Sequence, residues 1–172
     1  LSSLMTSACE WEWLDDGANP VPSYLRRRSK RGLKEANPRT RYLTETEEAR
    51  LLDHASPAVR DAITLAIDTG LRLNELFGLQ WSQIDFARGI IATTTRTKSG
   101  RARHVPLTQR ARTILGTIPR RLDVPYVLVN PDTGTRYVQM GKGLEAARRR
   151  SGVANLTWHD LRRTAGCRWL QR

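Results

Sequence analysis

Three short segments of the sequence carry residue types that could bind a phosphate group and move a proton at it. Arg72 lies three residues before Glu75 in TGLRLNEL, Lys98 lies in TKSGRARHVPL, and His159 lies three residues before Arg162 in HDLRR. Arginine presents a planar fork of N–H donors that matches two phosphate oxygens, and lysine and histidine can transfer protons. Together these side chains suit a pentavalent phosphorane, whose developing negative charge needs rigid donors.

Each segment also has a simpler interpretation when it is taken alone. Arg72 and Glu75 suit a weak surface ion pair on one helix. The basic residues around Lys98 suit a solvated hairpin edge that discourages aggregation. A histidine near a helix start, such as His159, is commonly a cap or a surface residue. Only the combination of the three segments predicts chemistry on a phosphate.

Composition limits the class of partner. Among 172 residues there are 29 Lys plus Arg and 17 Asp plus Glu, a formal net charge of +12, which favours nucleic acid or an anionic membrane face. Charged residues interrupt every apolar stretch before the roughly 18 residues of a membrane-spanning helix, so an integral membrane protein is excluded. The first ten residues do not resemble a secretory signal, and we expect a cytoplasmic protein.

The two cysteines, Cys9 and Cys167, lie far apart without neighbouring residues at metal-ligand spacing. A structural zinc site or a disulfide framework is therefore not expected. A reducing compartment such as the cytosol fits this cysteine usage.

The basic residues form three clusters separated by a more acidic body. Residues 24–41 carry eight bases and one acid, residues 96–121 carry eight bases and no acid, and residues 142–172 carry eight bases and two acids. Residues 42–95 reverse the balance with eight acids and four bases. This distribution predicts one electropositive face on a folded domain.

The local pattern predicts mainly helices. A first helix with an apolar face from Leu4 to Leu14 precedes a proline-containing basic linker over residues 19–41. Thr44 and Glu47 form a capping box, and Ser56 and Pro57 begin a helix that ends at Gly70. Further helices are predicted over 71–79, from Thr108, over 138–150 and from Thr157, where Asp160 completes a second capping box.

Two segments have the β-branched texture of strands. GIIATTTRT and ARHVPL, joined by KSGR, predict a β-hairpin with Lys98 at its tip, and YVLVN over 126–130 predicts a short buried strand. Trp158 and Trp169 are predicted to pack against the core or a neighbouring helix. The fold class is therefore mainly α with a small antiparallel β-sheet.

The three segments, in this order, resemble those of the tyrosine recombinases, or phage-type integrases. TGLRLNEL resembles the segment of that family's first catalytic arginine, TKSGRARHVPL its hairpin lysine, and HDLRR its His-x-x-Arg motif. The resemblance covers roughly residues 38–172. It implies the last helix of a preceding DNA-binding domain over 1–20, a basic linker over 21–41, and a catalytic domain of the tyrosine recombinase fold over 42–172.

The resemblance also implies roles for individual residues. Arg72 and Arg162 would bind the non-bridging oxygens of the scissile phosphate, and Lys98 would act as general acid toward the leaving 5′-oxygen. His159 would hydrogen-bond the phosphate or assist proton transfer, and Glu75 would orient the arginine region. Four cationic or donor groups would do the electrostatic work, so neither a metal nor another cofactor is expected.

Duplex DNA is the partner that the resemblance implies, with further recombinase subunits on the DNA in the full-length protein. The residues expected to contact DNA are basic and lie in the linker and the hairpin: Arg26, Arg27, Arg28, Lys30, Arg31, Arg96, Arg101 and Arg103. The implied activity is site-specific cleavage and rejoining of DNA during integration or excision of a phage or mobile element.

One feature departs from the family pattern. The family's nucleophilic tyrosine follows the His-x-x-Arg motif, whereas all four tyrosines of this sequence precede His159. We therefore expect a catalytic domain truncated before its nucleophile, monomeric and inactive by itself, unless another subunit supplies a tyrosine. The alternative is a non-catalytic DNA-binding remnant or regulator derived from an integrase; a type IB topoisomerase and an RNA-associated protein fit less well.

Overall fold

A computed structural model describes residues 2–15, 19, 41–93 and 103–171. The chain divides into two compact units, Leu1–Arg39 and Thr40–Arg172, which are described separately. In the described ranges no helix is both long and apolar enough to cross a membrane.

The first unit contains helix α1, Ser2–Glu10. The predicted helix continued to Leu14, but the backbone N–H groups of Trp13 and Leu14 both donate to the carbonyl of Ala8, which ends the helix in a turn. The Trp11 and Trp13 rings stack edge to face with centroids 5.1 Å apart, and both rings are exposed. Trp11 therefore does not extend the apolar face of α1.

The second unit contains six described α-helices. Their bounds are Glu45–Asp53 (α2), Pro57–Thr69 (α3), Leu73–Phe77 (α4), Gln109–Thr117 (α5), Gly141–Ser151 (α6) and Trp158–Leu170 (α7). A single 3-10 turn, Trp81–Gln83, follows α4. Every predicted helix of this unit is present, with ends shifted by a few residues.

Helix α3 forms the centre of the core. Its side chains are buried at nearly every position from Val59 to Thr69, because α2, α4, α5 and α7 pack around it. Such a helix is apolar on more than one face, which explains the nearly continuous run AITLAI in its sequence. The last turn of α3 packs beside α7, and this contact brings Gly70 close to Arg162.

The sheet has three antiparallel strands in the order β1–β2–β3: Ile84–Asp85, Ile90–Thr93 and Arg103–Pro106. Ile91 pairs with Val105, and both are buried, whereas their strand neighbours are more exposed. The predicted hairpin corresponds to β2 and β3, while the short β1 was not predicted. The mainly α fold with a small antiparallel sheet is confirmed.

Both predicted capping boxes are present. The Thr44 hydroxyl accepts from the backbone N–H of Glu47 at 3.2 Å, and the Glu47 carboxylate accepts from the backbone N–H of Thr44 at 3.1 Å. The Asp160 carboxylate accepts in the same way from Thr157 at 2.8 Å. These interactions need residues only three positions apart, so the local sequence is sufficient to predict them.

The predicted strand YVLVN is wrong. Tyr126 forms an isolated bridge with Gln80, and Val129 forms another with Arg136, so the segment pairs with a different partner at each end. Val127 and Leu128 between them are buried. Burial explains the apolar residues of this segment, but neither partner continues far enough to make a ladder.

Candidate functional site

The first predicted segment, TGLRLNEL, lies where the end of α3 meets the starts of α4 and β3. Gly70 caps the carboxyl end of α3, Arg72 precedes α4, and Arg103 begins β3. Gly70 has φ +58°, in the left-handed region that favours glycine, and an added Cβ would lie 3.2 Å from Cβ of Ala165 on α7. A glycine here both turns the chain toward Arg72 and lets α7 approach.

Glu75 is the organising carboxylate of the site. Its side chain is only 6% exposed, and it accepts hydrogen bonds from the Arg72 backbone N–H at 2.7 Å and from Arg72 Nη1 at 3.0 Å. Arg72 itself remains half exposed. The ion pair suggested by the sequence is therefore present, but its acidic member is buried.

Arg103 reaches the same carboxylate from the sheet. Its Nη2 donates to Oε2 of Glu75 at 2.5 Å, and its buried Nε has no hydrogen-bond partner among the described residues. Burial alone raises the pKa of the Glu75 carboxyl. The hydrogen bonds from Arg72 and the charges of Arg103 and Arg72 outweigh burial, so this pKa lies below its ordinary value.

Arg162 approaches from α7, and its Nη1 donates to the carbonyl oxygen of Gly70. It lines a cleft of about 310 Å³ together with Arg103, Gly70, Ala165 and other residues of α3, β3 and α7. Burial lowers the pKa of Arg162, and the positive charges of Arg103 and Arg72 lower it further, against the opposing charge of Glu75. An anion bound in the cleft would relieve this repulsion.

Counting the described residues, the cluster therefore holds three guanidinium groups and one carboxylate, a net charge of 3 − 1 = +2. Arg72 is the N-cap of α4, Glu75 lies in α4, Arg103 begins β3 and Arg162 lies in α7, so packed elements carry these groups. A partly desolvated positive cleft with arginine donors binds phosphate or another oxyanion. Among the described residues, no group of three His, Cys, Asp or Glu side chains is placed to hold a metal ion.

Among the other predicted site residues, the structure describes only His159 and Arg103. His159 is exposed in the first turn of α7, one helical turn before Arg162, so the two side chains leave the same side of the helix. The remaining predicted basic residues lie outside the described residues: Lys98, Arg26, Arg27, Arg28, Lys30, Arg31, Arg96 and Arg101. Arg103 is described, and it contacts Glu75.

Two residues of the cleft were not expected from the sequence. His104, which was not among the predicted site residues, lines the cleft together with Arg162. Trp169 was expected to pack against the protein, but it is 41% exposed and lines the same cleft. Trp158 meets its expectation, because its ring packs edge-on to Phe77 with centroids 5.5 Å apart.

An ionic network around the buried carboxylates of Glu48 and Asp68 was also not predicted from the sequence. Arg110 Nη1 donates to Glu48 at 2.6 Å and Arg110 Nε donates to Asp68 at 2.9 Å, while Arg168 Nη1 forms an ion pair with the second oxygen of Glu48 at 2.5 Å. The network joins α2, α3, α5 and α7. Its sequence signal was an acid on an apolar face: Asp68 follows AITLAI, and Glu48 lies one turn before Leu51 and Leu52.

We expect Gly70→Ala to destabilise the protein more than Gly152→Ala, although both residues are helix caps with left-handed φ values of +58° and +70°. Each change costs about 1 to 2 kcal/mol for the backbone conformation. At Gly70 the new methyl group also meets Ala165, which adds about 1 kcal/mol of overpacking. At Gly152, outside its own helix, it meets no heavy atom of the described residues within 4 Å. Denaturant unfolding followed by circular dichroism measures both, and equal losses would show that the approach of α7 tolerates a side chain.

Comparison with known proteins identifies the family to which this fold belongs. The model of the phage integrase family matches residues 41–172, so the chain belongs to the phage integrase family. This confirms the resemblance to tyrosine recombinases and phage-type integrases that the three motifs indicated.

The chain is similar to curated recombinases. It is 31% identical over 99% of its length to a shufflon-specific DNA recombinase of Escherichia coli, covering 42% of that protein, and 29% identical over 74% of its length to the integrase of Salmonella phage P22, covering 36% of that protein. The chain thus spans less than half the length of these relatives.

Solved structures share the fold. The Tn1549 transposon integrase in complex with a circular intermediate DNA matches 99% of this chain and 64% of that chain, with a TM-score of 0.75 and 18% identity. XerA recombinase matches 76% of this chain and 50% of that chain, with a TM-score of 0.63 and 24% identity.

Proposed function

We propose that the protein is a site-specific DNA recombinase of the integrase type, and that residues 42–172 form the catalytic domain that binds and activates the scissile phosphate of duplex DNA. The observation that carries this proposal is a positive cleft lined by Arg103 and Arg162, beside which Arg72 and Arg103 share buried Glu75. The curated relatives are a recombinase and an integrase, and one structural neighbour is an integrase bound to DNA.

In the proposed reaction, Arg72 and Arg162 bind the two non-bridging oxygens of the phosphate. A tyrosine hydroxyl oxygen attacks phosphorus and loses its proton, forming a phosphotyrosyl bond, while the bond between phosphorus and the 5′-oxygen breaks. Lys98 gives a proton to the leaving 5′-oxygen, and His159 hydrogen-bonds the phosphate or assists proton transfer. The reverse attack by a 5′-hydroxyl rejoins a strand.

The described tyrosines do not line the cleft at Arg162. Tyr126 lies under the guanidinium of Arg136, and Tyr137 packs against the core. In the proposal, the attacking tyrosine therefore comes from outside the described residues, on the same protein or on a second subunit. Residues 1–20 and 21–41 serve as the end of a preceding DNA-binding domain and as a basic linker.

Chemical footprinting of arginine tests the proposal on this chain. Phenylglyoxal modifies accessible guanidinium groups, and mass spectrometry reports the rate at each arginine. With duplex DNA at about ten times its Kd, roughly nine-tenths of the protein is bound, so modification of Arg72 and Arg162 should slow about tenfold. Arg60 is the internal reference, because it lies ten residues before Gly70, about 15 Å away along α3.

Protection of Arg72 and Arg162 but not Arg60 would support a phosphate site at the cleft. If DNA binds and neither arginine at the cleft is protected, the cleft is not the DNA site and the proposal fails. Failure to bind duplex DNA even at low salt, where phosphate contacts are strongest, would also contradict it.

A further inference from the structure

Glu75 could hold Arg72, which the proposed function requires at the phosphate, in a bidentate ion pair. Carboxylates and guanidinium groups commonly form bidentate pairs, in which two N–H groups bind both oxygens. Arg72 has the reach for such a pair, because its Nη1 already donates to Oε1 of Glu75 at 3.0 Å. In a bidentate pair, Arg72 would turn a whole edge of its fork toward Glu75 and away from the cleft.

Arg103 occupies one of the two carboxylate oxygens that this bidentate pair needs. Its Nη2 donates to Oε2 of Glu75, the oxygen that a second N–H of Arg72 would need. The same oxygen also accepts from the Arg72 backbone N–H at 2.7 Å, which fixes the carboxylate against the start of α4. The other two guanidinium nitrogens of Arg72 have no partner among the described residues, and its side chain is 52% exposed.

We propose that Arg103 is a positioning residue, not a DNA contact: by occupying Oε2 of Glu75 it keeps Arg72 in a single-contact pair and leaves the fork of Arg72 free for phosphate. This rests on the proposed function of Arg72. The sequence grouped Arg103 with the DNA-binding basic residues, whereas its contact is with buried Glu75.

The test uses the arginine footprint in variants of the whole chain. Arg103→Gln removes the charge from Oε2, so Arg72 should lose most of its DNA-dependent protection while Arg162 keeps its protection. Arg103→Lys keeps a cation at Oε2 and should keep the protection of Arg72. A general loss of structure would instead affect both arginines, and thermal unfolding monitors the fold of each variant.

A double variant separates positioning from direct contact. In a Glu75→Gln background there is no carboxylate to trap Arg72, so adding Arg103→Gln should change duplex affinity by less than about twofold, the limit for negligible coupling. If Arg103 touched DNA, its loss would weaken binding equally in both backgrounds.

The two proposals fail in different ways. Absence of Arg72 and Arg162 protection in the unmodified chain contradicts the proposed function. Normal protection of Arg72 in folded Arg103→Gln, or equal effects in both backgrounds, overturns the role of Arg103 alone. If Arg103→Gln does not fold, loss of Arg72 protection in folded Arg103→Lys overturns it, and retention supports it.

Discussion

Replacing Arg162 with alanine should lower strand cleavage in the proposed recombinase reaction about 100- to 1,000-fold, the usual cost of losing one preorganised donor to developing negative charge. Arg162 is held by the Gly70 carbonyl in a partly buried, positively charged setting, which lowers its pKa and prepares it for an anion. Arginine remains charged even so, because its ordinary pKa is far above neutrality. The lost interaction strengthens as charge develops on the phosphate, so the rate falls more than the affinity.

Affinity for duplex DNA should fall by less than about tenfold in the same variant, since many phosphate contacts share the binding free energy. Covalent protein–DNA adduct on denaturing gels measures cleavage, and fluorescence anisotropy measures affinity. Arg60→Ala removes the same charge about 15 Å away along α3 and should leave cleavage nearly unchanged. Equal losses of cleavage and affinity in Arg162→Ala would favour a DNA-binding role without catalysis.

Replacing Glu48 with glutamine should destabilise the protein by about 2 to 3 kcal/mol, below the full cost of breaking a buried ion pair because both arginine partners are partly exposed. The Glu48 side chain is 5% exposed and forms an ion pair with Arg110 through one oxygen and with Arg168 through the other. Glutamine is neutral and has only one acceptor oxygen, so Arg168 loses its countercharge among the described residues, whereas Arg110 keeps only that of Asp68. The melting temperature should fall by roughly 10 °C.

Glu45→Gln is the matched control, because Glu45 is exposed in the first turn of the same helix. It should change stability by less than about 0.5 kcal/mol. Differential scanning calorimetry of the two variants makes the comparison, and equal melting temperatures would show that the Glu48 network contributes little. The network also holds α7, which carries Arg162, so a folded Glu48→Gln variant should place that arginine less accurately.

Glu75 connects Arg72, before α4, with Arg103 at the start of β3. From the sequence it was a supporting residue for the arginine region, three positions from Arg72. In the structure it is buried and shared between Arg72 and Arg103, and Arg103 lies 28 residues from it in sequence. A buried carboxylate between two arginines sets the direction of both, so substitutions at any one of the three should affect the others.

The sequence by itself determined where the helices of the second unit lie, to within a few residues, and it supplied the candidates for phosphate binding. Capping boxes act within a few residues, and so do Pro57 at a helix start and Gly70 at a helix end. The local sequence was therefore sufficient to predict these features. The tertiary structure decided which candidates meet. The contact of Arg162 with Gly70 spans 92 residues, and the ion pairs of Glu48 with Arg110 and Arg168 join separate helices. The YVLVN segment likewise did not form a strand, because the fold places no strand beside it among the described residues. Periodicity records which face of an element is apolar, but the pairing of charges depends on how those faces pack, which no local pattern contains.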